Sequence, residues 1–88
     1  MNNLRNINLN ASSGLKVLIR INKYKTIADL FKVYIKRLGI GQNVLGKDII
    51  FLFNAETLTP QDTRIINEVF PKDFSTITVL DQKNIIGA

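Results

Sequence analysis

Between positions 26 and 39 the chain reads TIADLFKVYIKRLG, and apolar residues recur at Ile27, Leu30, Phe31, Tyr34, Ile35 and Leu38. That is the i, i+3, i+4, i+7, i+8, i+11 spacing of a single helix face. Lys32, Lys36 and Arg37 fall on or near the opposite face. Thr26 is placed to cap the first turn, and Asp29 three residues later completes a capping box beside the positive end of the helix dipole. Lys36 and Arg37 sit in the last turn, where cations are favoured. Gly39 supplies the left-handed residue that ends the helix. No other segment carries so full a set of signals, so the remaining elements must provide a surface for this stripe to cover.

On either side the period changes from 3.6 to 2. Residues 5–10 alternate Ile7 and Leu9 with Asn6, Asn8 and Asn10. Residues 15–22 set Val17, Ile19 and Ile21 against Lys16, Leu18 and Arg20. The cluster at 10–14, ending in Gly14, joins the two as a hairpin. Beyond the helix, 41–47 is a loop with a buried-looking Val44 or Leu45. Residues 48–53 form a strand apolar on both faces, Ile49, Phe51 and Phe53 against Ile50 and Leu52. Such a strand is central in a sheet or carries a binding surface. Asn54 to Glu56 is a turn, 57–59 a short edge strand closed by Pro60, and 65–70 a single helical turn stopped by Pro71. The last strand, 74–80, points Ile77 and Val79 one way and Thr76, Thr78 and Leu80 the other. Phe70 and Phe74 are expected as core plugs, and Tyr34 as a core residue with its hydroxyl at the edge. The order, two strands, a helix and three more strands, predicts an α+β two-layer domain with a mixed four- to five-stranded sheet packed on one long helix.

Composition narrows the chemistry. With 88 residues, one domain is expected, and at 45% apolar residues there is enough for a single core of modest stability. The chain has neither cysteine nor histidine. Disulfides, thiolate or imidazole metal sites, and Ser-His or Cys-His nucleophile pairs are therefore excluded. Asp62, Glu68, Asp73 and Asp81 are the carboxylates an acid pair would draw on, but no spacing groups them. No catalytic residue, cofactor or metal is expected. No apolar run approaches the ~20 residues of a membrane span, and no signal-peptide core opens the chain. The net charge of +5 is read as a soluble, lysine-rich surface. Lys16, Arg20, Lys23 and Lys25 form a basic group around the second strand, with no aromatic residue interleaved on the same face as single-strand binders need, so nucleic acid is not expected as a partner.

The order and several local strings resemble the ubiquitin family and its β-grasp fold. The resemblance runs over residues 5–81 and rests on the Gly14 turn, Thr26-Ile27 at the helix start, Gly39-Ile40 just after it, Phe53 with Asn54-Ala55, Leu58, and Ser75-Thr76-Ile77. It departs from the family in lacking proline between residues 41 and 48. It departs more consequentially at the end. Conjugated members close in a flexible Gly-Gly tail that threads activating and cleaving enzymes, whereas this chain ends Ile85-Ile86-Gly87-Ala88. The resemblance therefore implies a non-conjugated ubiquitin-like interaction module, cytoplasmic or nuclear, monomeric, and part of a longer protein. Residues 1–4 are expected as a disordered lead-in, 5–81 as the domain and 82–88 as a tail. The alternative is a modifier matured by processing of that tail and ligated to lysines.

The family also implies an apolar sheet patch that small receptor domains use. Its positions correspond here to Ser12 or Ser13, Leu52 and Leu80, with Thr78 as the polar neighbour. Leu18 and Ile50 extend it on outward strand faces, and Lys16 and Arg20 flank it. These residues are the expected partner-binding set, and the patch holds only if Leu52 and Leu80 face outward side by side.

Overall fold

The computed structural model describes residues 2–86 of the 88-residue chain. Five strands, β1 (Leu4–Ala11), β2 (Lys16–Asn22), β3 (Ile49–Phe53), β4 (Glu56–Leu58) and β5 (Ser75–Asp81), form one sheet in the order β2-β1-β5-β3-β4. The pairing is antiparallel except between β1 and β5, which run parallel at the centre. The sheet is thus mixed and five-stranded, with one long helix across one face, an α+β β-grasp.

That helix, α1 (Ile27–Leu38), has the ends its sequence encodes. The Thr26 side chain accepts from Asp29 N, the Asp29 carboxylate accepts from Thr26 N, and Gly39 closes the helix at φ 71°. Ile27, Leu30, Phe31, Tyr34 and Ile35 are buried. They meet Ile7 and Leu9 of β1, Ile19 and Ile21 of β2, Ile49 and Phe51 of β3, and Ile77 and Val79 of β5. Alternation along each strand sends these side chains to the helix and their neighbours outward. Phe31 stacks on Phe51 with ring centroids 3.8 Å apart, and Tyr34 meets the same ring edge-on at 5.9 Å.

A second, four-residue helix, α2 (Ile66–Val69), fills the loop before β5. Ile66 N and Asn67 N donate to the Lys25 and Lys23 carbonyls, and Ile27 N and Ala28 N donate to those of Arg64 and Asp62. This stretch of loop is therefore clamped against the entry of α1. Arg5 holds the next stretch: although 8% exposed, its guanidinium donates to the Phe70 carbonyl at 2.7 Å and to Asn67 Oδ1 at 2.9 Å. A buried cation is tolerated there because its donors are taken.

Four expectations shift. Leu4, placed by sequence in the lead-in, belongs to β1 and pairs with Asn22. Phe74 is no core plug. It is 61% exposed and sits at φ +67°, held by Phe74 N donating to the Asn6 carbonyl and by Asn8 Nδ2 reaching the Phe74 carbonyl. The left-handed turn that brings β5 beside β1 swings its ring away from the core that Phe70 fills. The Tyr34 hydroxyl is not at the edge. It is buried with no hydrogen-bond partner among the described residues, because β5 and the segment after it close over that end of the helix. Finally, residues 82–86 turn back: the Asp81 carboxylate accepts from Ile85 N at 2.7 Å and Ile86 N at 2.8 Å, and both isoleucines pack against the core. Gly87 and Ala88 lie outside the described residues.

Candidate functional site

The helix covers one face of the sheet and leaves the other open. Register decides what stands on that open face. Ile50 lies opposite Leu80, and Leu52 opposite Thr78. Leu52 and Leu80 are therefore diagonal neighbours, within reach of each other by the ~7–8 Å spacing of such pairs. Ile50, Leu52 and Leu80 are each half-buried, while Thr78 is exposed. The Ser12 hydroxyl accepts from Asp81 N at 3.0 Å, which seats the first hairpin turn beside Leu80. The structure thus brings together Ile50, Leu52, Thr78, Leu80 and Ser12.

It does not bring Leu18, Lys16 and Arg20 into that cluster. All three face outward on β2, but β1 and β5 stand between β2 and β3. The row that ends in Leu52 runs Lys16, Asn10, Thr78, Leu52, so Lys16 is three strand spacings, ~14 Å, from Leu52. Leu18 is 46% exposed, and Asn8 and Thr76 continue its row. The sequence pattern gave the faces correctly but not the strand order, and only the order separates the leucines.

Among the described residues the two carboxylates with shifted pKa values serve local structure. Asp62 is held below the usual carboxylate range, chiefly by the hydrogen bonds Arg64 donates to it, and Arg64 is raised in turn. Asp29 is lowered by the Thr26 backbone amide. Both carboxylates are engaged in turn and cap structure. Tyr34 is pushed up to about 12 by burial and, secondarily, by Asp81. Among the described residues no group of acidic side chains is arranged to hold a metal ion, and no helix is long and apolar enough to cross a membrane.

Sequence reasoning named the basic group Lys16, Arg20, Lys23 and Lys25 but missed the surface it shares with α1. β2 is an open edge, and α1 runs beside it. Arg20, Ile21, Asn22, Lys25, Asp29, Lys32 and Val33 line a crevice of about 380 Å³ between them. The signal was present in the chain: residues 16–37 hold seven of the twelve Lys and Arg and one of the seven Asp and Glu. The cations are thus not evenly spread.

Comparison with known proteins places the fold. A family model described as "Ubiquitin-2 like Rad60 SUMO-like" matches residues 5–69. A solved structure described as "Molecular Mimicry of SUMO promotes DNA repair" superposes with a TM-score of 0.69 at 23% sequence identity, over 90% of this chain and 92% of that one. No curated protein matches the sequence.

Proposed function

The chain belongs to the Rad60 SUMO-like family of ubiquitin-like domains, and from that premise we propose that it is a non-conjugated, non-enzymatic module that docks a protein partner through the open face of its sheet. The observation that carries the reading is the pairing of Ile50 with Leu80 and of Leu52 with Thr78, which makes a contiguous apolar patch beside the Ser12 turn. Contiguous apolar surface on a small domain favours a protein partner. A footprint of ~800 Å² per side is about 30 Å across. A partner centred on the leucines would therefore also reach Lys16 and Leu18 at the far edge, as a wetter and more polar rim, whereas Arg20, further along β2, lies ~20 Å away and outside it. Affinity through so small an apolar centre is weak.

The reading as a module rather than a ligated modifier is supported by residues 81–86. Ligation needs an extended, unencumbered tail, whereas here the Asp81 carboxylate holds Ile85 and Ile86 against the body of the domain. The solved structure of like fold is described as mimicking SUMO. By that analogy we infer that this chain presents a SUMO-like surface.

The test is a ¹⁵N–¹H titration with a ubiquitin-receptor domain. Shifts are expected to centre on Ile50, Leu52, Thr78 and Leu80, and Leu52→Asp is expected to abolish them. A titration that leaves Leu52 and Leu80 unmoved removes the proposal. Adducts of higher mass carrying this chain in cells would replace it with the modifier.

A further inference from the structure

We propose that the face formed by β2 and the outward side of α1 binds nucleic acid through its phosphate backbone. This inference does not rest on the apolar patch of the open sheet face.

It starts from where the charge lies. Residues 16–37 carry a net +6 and the rest of the chain −1, so the whole positive balance of the protein belongs to β2, the turn after it and α1. Six of the seven acidic residues lie outside this stretch, and the seventh, Asp29, is committed to capping α1. The fold then gathers the cations. Arg20, Lys25 and Lys32 line one crevice. Lys36 continues the helix side of the face beside Lys32 and Val33. Arg37 crosses from the helix to the strand, where Nη1 donates to the Leu18 carbonyl at 3.0 Å. Lys25 is exposed and Lys23 half-exposed, in a turn whose carbonyls are held by Ile66 N and Asn67 N. None of the seven takes part in an ion pair among the described residues, in contrast to Arg5, Arg64 and Lys83. Asp29 offsets part of the charge of Lys25 and Lys32, and the excess of cations over this one carboxylate attracts a polyanion.

Two features choose nucleic acid over an acidic peptide. A peptide joining the edge of β2 as an added strand needs that strand's outward carbonyls. Arg37 already occupies the one at Leu18. A phosphate backbone makes no such demand and gains from the same guanidinium. The second feature revises the expectation drawn from sequence that no aromatic residue accompanies these cations: Tyr24 is 59% exposed between Lys23 and Lys25, with Lys23 Nζ 5.5 Å from its ring centroid. It offers a stacking surface to an unpaired base. Contacts of this kind, to phosphate and to a stacked base, make binding independent of sequence.

Fluorescence anisotropy with a labelled 20-nucleotide single strand and a 20-base-pair duplex, titrated with the 88-residue chain, tests this. If about five phosphates are neutralised, doubling the salt from 50 to 100 mM weakens binding roughly twentyfold for duplex and roughly tenfold for the single strand. Arg20→Gln and Lys32→Gln are each expected to lower the duplex salt slope by about one; neither side chain makes an ion pair, so the fold is kept and a dispersed amide spectrum verifies it. Lys47→Gln and Lys72→Gln, away from the face, leave the slope unchanged. Tyr24→Ala is expected to weaken the single strand and not the duplex. The proposal is overturned if neither oligonucleotide binds at 50 mM salt, if the off-face variants lose as much as the on-face ones, or if an acidic peptide shifts the Leu18 amide while neither oligonucleotide binds.

Discussion

Removing one oxygen atom from the core is expected to make this protein more stable. Tyr34 is fully buried, and its hydroxyl has no hydrogen-bond partner among the described residues. Asp81 lies close enough to raise its pKa, but the carboxylate is turned to the Ile85 and Ile86 amides. A buried hydroxyl without a partner costs about 1–3 kcal/mol. Tyr34→Phe recovers that cost and loses a few tenths of a kcal/mol in dispersion around the vacated oxygen. The ring keeps its edge-on contact with Phe51. The net is about 1 kcal/mol of stabilisation, or a rise in Tm of about 4–8 °C for a domain of this size. An alkaline arm makes the test sharper. The folded state favours protonated Tyr34, with a pKa of about 12 against an ordinary 10.0. Its contribution is therefore intact below pH 10 and is lost as pH rises from 10 to 12, by ~3 kcal/mol for two units. Urea unfolding of both chains at pH 7 and pH 11 reads both effects. The variant is expected to lead at pH 7 and to lead by more at pH 11. A variant destabilised at pH 7 by more than about 0.5 kcal/mol at unchanged m-value would refute the reasoning, since the hydroxyl would then have a partner. An equal alkaline decline in both chains would refute the titration argument.

Three further outcomes follow from local geometry. Thr26→Ala removes the side-chain half of the capping box, the bond from Asp29 N to Thr26 Oγ1, and is expected to cost about 1 kcal/mol by thermal or urea unfolding. Because Asp29 is lowered by the Thr26 amide, its contribution is present above the ordinary carboxylate range and lost as pH falls through the lower folded value; Asp29→Asn is expected to flatten the acid limb of the stability profile. Ala55 is exposed at φ 63° in the two-residue turn between β3 and β4, so Ala55→Gly relieves left-handed strain and raises stability by about 0.5–1 kcal/mol. Asp81→Ala removes both acceptors of the 85–86 turn, and hydrogen exchange at Ile85 and Ile86 is expected to rise well above that of β5.

What lay open in the sequence was everything set by short-range periodicity and local chemistry. The α1 stripe, its Thr26–Asp29 box and its Gly39 stop are properties of neighbours within one or two turns. The inward faces of β1, β2, β3 and β5 follow from strict alternation. Resemblance to the ubiquitin family then supplied the fold class, a mixed sheet packed on one long helix, but not the strand order. What only the tertiary structure decided depends on residues far apart in the chain. Phe74 reads like Phe70, yet the left-handed turn that seats β5 beside β1 turns one ring outward. Ile85 and Ile86 look stranded until Asp81 folds them against the core. Leu18 and Leu52 share an outward face, but two intervening strands part them, while Arg20 and Lys32, distant in sequence, come to line one crevice. Periodicity fixes which side of an element is buried; which elements lie side by side is settled by long-range pairing, and the surfaces a partner meets are made there.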